Sequence, residues 1–93
     1  RTNGQLILDK NLPNDLIRNH HMTLLEFAKE SIFKQDISER DIRSTTISLK
    51  KEDFKAAQEI LRRAHDEIRA LSTVKAGDEV YEFTSQFFRI TEK

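Results

Sequence analysis

Three histidines are the residues of this sequence best suited to metal binding or acid–base chemistry. His20 and His21 are adjacent, so on a helix their side chains point about 100° apart and cannot hold one metal ion together. Neither has a histidine or a carboxylate four residues further along. The sequence therefore predicts no metal and no cofactor. His21 is expected in an apolar helix stripe, His20 in solvent, and His65 beside the seam of a second helix.

The triplet Glu39-Arg40-Asp41 and several hydroxyl side chains are the remaining candidates for catalysis. Two carboxylates beside a guanidinium fit an acid–base pair, but a charged loop or a strand-end ion pair is the commoner meaning. Thr45 and Thr46 have no neighbouring histidine that could activate a nucleophile. No catalytic residue is therefore predicted, and the chain is expected not to be an enzyme.

Charge and glycine content argue against phosphate or nucleic-acid binding by this chain. Lys and Arg number 16, as do Asp and Glu, so the formal net charge is zero, whereas a surface that neutralises phosphates concentrates basic residues. The two glycines cannot form a phosphate-cradling loop. Aromatic residues near the end of the chain could stack on bases, but the neutral charge favours a core or a dimer contact.

Size and composition indicate one small domain that gains from association. A chain of 93 residues buries only roughly 60–65% of its unfolded surface, so its core is thin and a homodimer is expected. The sequence has no cysteine, which excludes disulfides and fits a reducing, cytoplasmic setting. Apolar runs reach three residues, far short of a membrane span. The start at Arg1 reads as a cut within a longer protein.

Turn residues and hydrophobic periodicity divide the first half of the chain into a strand, a helix and a second strand. Asn3-Gly4 predicts a turn ahead of a short strand at residues 6–8. Pro13 ends that segment, and a helix is expected to follow up to about Phe33, with apolar residues at helical spacing. Residues 42–49 are β-branched and alternating, which predicts a strand.

The second half is predicted to form a helix and a longer strand. From Phe54 the apolar residues step by three and four in a heptad-like seam, and a helix lying on a sheet is favoured over a coiled coil. Gly77 marks a loop. The strand over residues 80–91 carries apolar groups on both faces, so it is either central in the sheet or kinked by a bulge. The helix seam consists of Phe54, Ala57, Leu61, Ala64, Ile68 and Leu71, widened by Ile60.

The predicted fold class is therefore α+β: a short N-terminal strand, then helix, strand, helix and strand, with the helices packed on a small sheet. Residues 1–12 are expected to end an upstream segment, and residues 13–93 to form a single α+β domain. Because two or three strands under two helices leave open sheet edges, a second copy would complete the core.

Five short motifs resemble the C-terminal domain of unknown function in a group of winged-helix bacterial transcriptional regulators. The similarity extends over about residues 16–91. The chain departs from that pattern where His20 replaces an aromatic residue, Arg43 a serine and Arg89 a proline. The motifs are IRNHH at 17–21, LLEFA at 24–28, ERDIRSTT at 39–46, VY at 80–81 and QFFRIT at 86–91.

The resemblance implies a non-catalytic dimerisation or signal-receiving domain of a bacterial transcriptional regulator. It also implies that residues 5–9 correspond to the last strand of a winged-helix wing, and that DNA is bound only through a missing upstream domain. A small-molecule-sensing domain and a general protein–protein interaction module are the alternatives. An effector pocket would involve His21, Arg40 and Thr46. The predicted core or interface residues are Phe54, Leu61, Ile68, Phe83 and Phe87.

Overall fold

The computed structural model describes residues 13–73, 75 and 77–91 of the chain. Its contacts separate the described residues into two compact units, one within residues 13–46 and the other within residues 47–91. Each unit is described by itself. The predicted strand at residues 6–8, the Asn3-Gly4 turn and the boundary after residue 12 lie outside the described residues, so they stay predictions.

Helix α1, Asn14–Lys34, is the main element of the first unit. Pro13 fixes φ near −55° at its start, and the Pro13 carbonyl accepts the amides of Leu16 and Ile17 at 3.1 and 3.2 Å. No glycine or proline interrupts the helix, which ends where Gln35 turns to an extended conformation. The predicted first helix is confirmed.

The less exposed face of α1 differs from the predicted stripe at one point. His20 is half-buried and His21 is exposed, so the expectation that His21 lies in the stripe and His20 in solvent was wrong. The reason is the phase of the helix: a repeat of three and four residues that starts at Ile17 meets either 20 or 21. The half-buried residues of α1 are Ile17, His20, Leu24, Ala28 and Ser31.

A capped turn follows α1. Asp36 accepts hydrogen bonds from the amide and the hydroxyl of Ser38, at 3.1 and 2.6 Å, and starts a 3₁₀ turn at Ile37–Glu39. These hydrogen bonds stabilise the charged carboxylate and lower the pKa of Asp36. The charged triplet predicted as a loop therefore lies at the end of a short 3₁₀ turn.

Helix α2, Phe54–Arg69, is the main element of the second unit. It is preceded by a 3₁₀ turn, Lys51–Asp53, so the α-helix begins slightly later than the acidic residues that were predicted to open it. Turn hydrogen bonds from Ala70 to Asp66 and from Leu71 to Ile68 close its end. The predicted seam is confirmed at its centre, where the half-buried residues are Ala57, Leu61, Ala64 and His65.

The loop after α2 is held by one carboxylate. Asp78 accepts hydrogen bonds from the Thr73 hydroxyl at 2.6 Å and from the Lys75 amide at 2.9 Å. Gly77 lies at φ 91°, a conformation that residues with a side chain rarely adopt. The prediction of a hinge glycine here is consistent with this geometry.

The α+β fold class is wrong for the described part of the chain, which contains two α-helices and two 3₁₀ turns but no strand and no sheet. Residues 42–49 and 80–91, predicted as strands, have no regular secondary structure. Alternating β-branched and aromatic residues favour extended backbone, but a strand also needs a neighbour to share its ladder of hydrogen bonds. No backbone hydrogen bond joins these two segments to each other or to other described residues.

No residue in the described ranges is fully buried. The apolar side chains that the sequence supplies for a core are therefore partly exposed, including most of the large ones on both helices. None of the described helices is both long and apolar enough to cross a membrane.

Candidate functional site

The clearest side-chain cluster of the second unit lies on one face of α2, where an aromatic segment crosses the helix. The rings of Phe54 and Phe87 are 5.6 Å apart and inclined by 17°, which is a stacked pair. Aromatic pairs of this kind contribute about 0.5–1.5 kcal/mol beyond the area they cover. This contact holds residue 87 over the start of the helix.

A second contact holds the same segment about three turns further along α2. The imidazole of His65 stacks on Phe83, with centroids 4.1 Å apart, and its Nε2 lies 2.8 Å from the Ser85 hydroxyl. The same ring thus packs against an aromatic residue and shares a hydrogen bond with a polar one. Residues 83–87 are consequently attached to α2 at two places.

An apolar groove lies beside this segment. Its cavity measures about 440 Å³, and its floor includes the small side chains of Ala56 and Ala57, which make room above the helix. Asp53 is the one charged residue among its lining residues. The groove is lined by Ile47, Leu49, Asp53, Ala56, Ala57, Ile60, Leu61 and Phe87.

Two large apolar side chains on the groove side of α2 remain in solvent. Ile60 lines the groove and is 58% exposed, and Leu71, which follows at nearly the same angle around the helix, is 78% exposed. Single exposed apolar residues are ordinary on protein surfaces, but a continuous apolar patch usually marks an interaction site. The groove and these side chains form one such patch, which we call the α2 surface.

The opposite face of α2 carries a row of ion pairs. Arg62 bridges Glu59 and Asp66, and Asp66 also pairs with Arg69 at 3.1 Å. The hydrogen bond from Arg62 lowers the pKa of Glu59 and raises that of Arg62. These four side chains are about half exposed and pair with each other, so their charges largely cancel.

The structure brings together four of the five predicted core or interface residues. Phe54, Leu61 and Phe87 lie at the groove or its stacked pair, and Phe83 contacts His65 on the same helix. Ile68 lies on α2 as well but is 48% exposed.

The three residues of the predicted effector pocket make separate local contacts. The described ring contact of His21 is with His20, at 5.9 Å, while the Arg40 guanidinium donates to the Gln35 carbonyl at 3.1 Å. Thr46 is exposed, and no hydrogen bond within the described residues joins any two of His21, Arg40 and Thr46. The effector pocket at these residues stays a prediction.

Asp41 and Arg43 form a local ion pair. Asp41 accepts two hydrogen bonds from Arg43, at 2.7 and 2.9 Å, which lower the pKa of Asp41 and raise that of Arg43. The part of the chain that the structure describes contains no group of three or more histidine, cysteine, aspartate or glutamate residues that could hold a metal ion.

Sequence reasoning missed three contributors to the α2 surface. Ile47 and Leu49 were assigned to a strand, although they line the groove, and Ser85 was not singled out although it pairs with His65. The alternation of apolar residues at 47 and 49 did indicate that both side chains lie on one side of the segment. Nothing in the local sequence links position 85 to position 65, because that contact joins residues twenty positions apart.

A family model described as "Domain of unknown function (DUF4423)" matches residues 1–90. No curated protein and no solved structure matches the chain.

Proposed function

This chain belongs to the family described as a domain of unknown function (DUF4423), and on that premise we propose that it is a non-catalytic self-association domain of a bacterial transcriptional regulator. The regulator part of this proposal is supported by the motifs that resemble the C-terminal domain of winged-helix regulators. DNA binding would belong to another region of such a protein, since this chain has zero formal net charge. Its place of action would be the cytoplasm.

The observation that supports self-association is the exposure of the α2 surface. Ile60, at the groove, and Leu71, on the same side of α2, are each more than half exposed. Burying a large apolar side chain stabilises a protein by about 1.5–3 kcal/mol relative to leaving it exposed. A partner that covers several of them therefore supplies stability that the described residues lack by themselves.

Symmetric regulators explain why a second copy is the expected partner. Proteins that read two half-sites of DNA commonly do so as two-fold dimers, and the dimer contact can lie outside the DNA-binding module. An accessory domain with an open apolar face fits that role.

A reporter experiment tests this function. The chain would be fused to a DNA-binding module that is monomeric alone and represses its promoter only as a dimer. We expect repression by the fusion, loss of repression in Ile60→Gln, and normal repression in Ile37→Gln, because Ile37 is 76% exposed but lies outside the α2 surface. A wild-type fusion that is produced and does not repress would refute self-association.

Effector binding in the groove is the second candidate function. A cavity of about 440 Å³ lies within the range of small-molecule sites, about 300–1,000 Å³, and its lining is apolar apart from Asp53. This position replaces the predicted pocket at His21, Arg40 and Thr46. Thermal-shift measurements with octanol and octylamine would test it: stabilisation that Ala57→Trp abolishes supports the site, and no shift with either probe contradicts it.

A further inference from the structure

We propose that the partner on the α2 surface is a second copy of this chain, whose α2 packs antiparallel to the first around a two-fold axis beside Ala64. This inference rests on the proposed self-association and adds the orientation and the register of the two helices. It concerns a row of four residues along α2, which we call the free stripe: Ala57, Ile60, Ala64 and Leu71.

The first argument is that residues 83–87 cover only part of the apolar side of α2. Successive helix residues are separated by about 100°, so Phe54 and His65 lie on one side of the arc and Ile60 and Leu71 on the other. The side with Phe54 and His65 contacts the aromatic segment. The side with Ile60 and Leu71 is largely in solvent.

The second argument is that the free stripe has a small residue and a large residue at equal distances on either side of Ala64. Ala57 and Leu71 each lie seven residues from Ala64, about 10 Å along a helix. Leu71 follows the last residue of α2, but its amide still donates to the Ile68 carbonyl at 3.0 Å and continues the turn. In an antiparallel pair centred on Ala64, the exposed Leu71 of each copy therefore lies over the small Ala57 of the other.

The groove offers the space that this arrangement needs. Ala57 is part of its floor, and its 440 Å³ can accept a leucine together with neighbouring atoms. At the axis, Ala64 has a small side chain and lets the two helices approach to the usual 8–10 Å between axes. The loop with Lys75 would then lie at the same end as Asp53 of the second copy, the charged residue of the groove lining.

The area available reaches the lower end of what a stable dimer buries. At about 25 cal/mol per Å², the 1.5–3 kcal/mol gained by burying one large apolar side chain corresponds to roughly 60–120 Å², so the exposed fractions around the groove and free stripe offer up to about 380 Å² of apolar surface per copy. Homodimer interfaces are about 65% apolar, so this corresponds to about 600 Å² per partner, the lower limit of the standard size. The residues summed are Ile47, Leu49, Ile60, Ile68, Leu71 and Phe87.

The ion-paired face of α2 does not oppose this pairing. The ion pairs of Glu59, Arg62, Asp66 and Arg69 lie on the other side of α2 and neutralise one another. The chain has zero formal net charge, so two copies do not repel each other strongly.

Cysteine cross-linking tests the geometry cleanly because the chain contains no cysteine of its own. Single variants Ala57→Cys, Ala64→Cys and Leu71→Cys would be oxidised with oxidised glutathione, together with Arg63→Cys as a control on a different face of α2. A disulfide requires Cα atoms about 4.4–6.8 Å apart. We expect a covalent dimer from Ala64→Cys alone, and from a mixture of Ala57→Cys with Leu71→Cys, but not from Arg63→Cys.

The outcomes separate this inference from the proposed function. Cross-linking of Ala57→Cys or Leu71→Cys to itself indicates parallel helices, which overturns the geometry but keeps self-association. No cross-link at any position, with a dimer seen by sedimentation, also overturns the geometry alone. A monomer in sedimentation overturns both proposals.

The energetic contribution of Leu71 provides a second test. Because Leu71 is 78% exposed in one copy, Leu71→Ala should leave the far-UV circular dichroism unchanged. Two leucines are lost from each dimer, so the dimer Kd should rise on the order of 100-fold. The matched control Ile37→Ala should leave the Kd unchanged, and an unchanged Kd in Leu71→Ala would contradict the pairing.

Discussion

Phe87 and Phe88 are adjacent aromatic residues with opposite environments, and their replacement by alanine should have different effects. Phe87 stacks on Phe54 and keeps 36% of its surface exposed, whereas Phe88 is 71% exposed. If a phenylalanine presents about 200 Å², contacts cover about 130 Å² of Phe87 and about 60 Å² of Phe88. We therefore expect position 87 to support the protomer and position 88 to contribute little to it.

The expected loss in the free energy of unfolding follows from the covered area of each ring. At about 25 cal/mol per Å², the transfer contribution is about 3 kcal/mol for Phe87. For Phe88 it is about 1.5 kcal/mol by the same rule. A domain of this size has a free energy of unfolding of about 5–14 kcal/mol, so Phe87→Ala removes a large part of it.

Urea unfolding followed by circular dichroism at equal, low micromolar protein concentrations measures both changes. Phe87→Ala should lower the free energy of unfolding at least twice as much as Phe88→Ala. A double-mutant cycle with Phe54→Ala should give a coupling of about 1 kcal/mol for the stacked pair. Equal losses at positions 87 and 88, or a coupling near zero, would refute the assignment of Phe87 to the α2 surface.

Three further predictions concern single sites. Gly77→Ala should lower the free energy of unfolding by about 1 kcal/mol, measured by urea titration, because φ is 91° there and no atom lies close enough to compensate. The pKa of Glu59, followed by carboxyl NMR, should lie below its ordinary value and should rise in Arg62→Gln. Because the pKa is lowered in the folded state, the ion pair stabilises the fold above about pH 4. This stabilisation is lost as the pH falls through the pKa of the folded state. Ser85→Ala should cost about 0.5–1.5 kcal/mol by loss of the hydrogen bond to His65, with no loss if that contact is absent in solution.

The helices could be predicted from sequence because their signals are local. Pro13 sets the start of α1, and the spacing of three and four residues from Phe54 onward sets the apolar face of α2. The burial of the adjacent histidines was nevertheless assigned wrongly. A spacing of three or four residues from Ile17 fits either His20 or His21, and the structure half-buries His20.

The sheet was wrongly predicted because β structure depends on pairing between distant segments. Residues 42–49 and 80–91 have the composition of strands, yet composition reports only a preference for extended backbone and for covered side chains. Ile47 and Phe87 of these segments line the groove without forming a ladder, and Ile47 remains more than half exposed.

The α2 surface could be predicted only in part. Phe54, Leu61, Phe83 and Phe87 were identified from periodicity and alternation, which indicate that a side chain is covered but not by which residue. The partners that complete the surface, such as Ser85 beside His65, depend on contacts between residues far apart in the chain. The effector pocket stays a prediction for the same reason, because no local pattern establishes that three distant polar residues meet.

Sedimentation equilibrium of the 93-residue chain over a range of concentrations tests most directly whether the apolar face of α2 is covered by another copy. The weight-average mass should rise from 10.9 kDa toward twice that value as concentration increases, and the rise should shift to higher concentration in Leu71→Ala. A mass that stays at one chain up to high micromolar concentration would contradict the account.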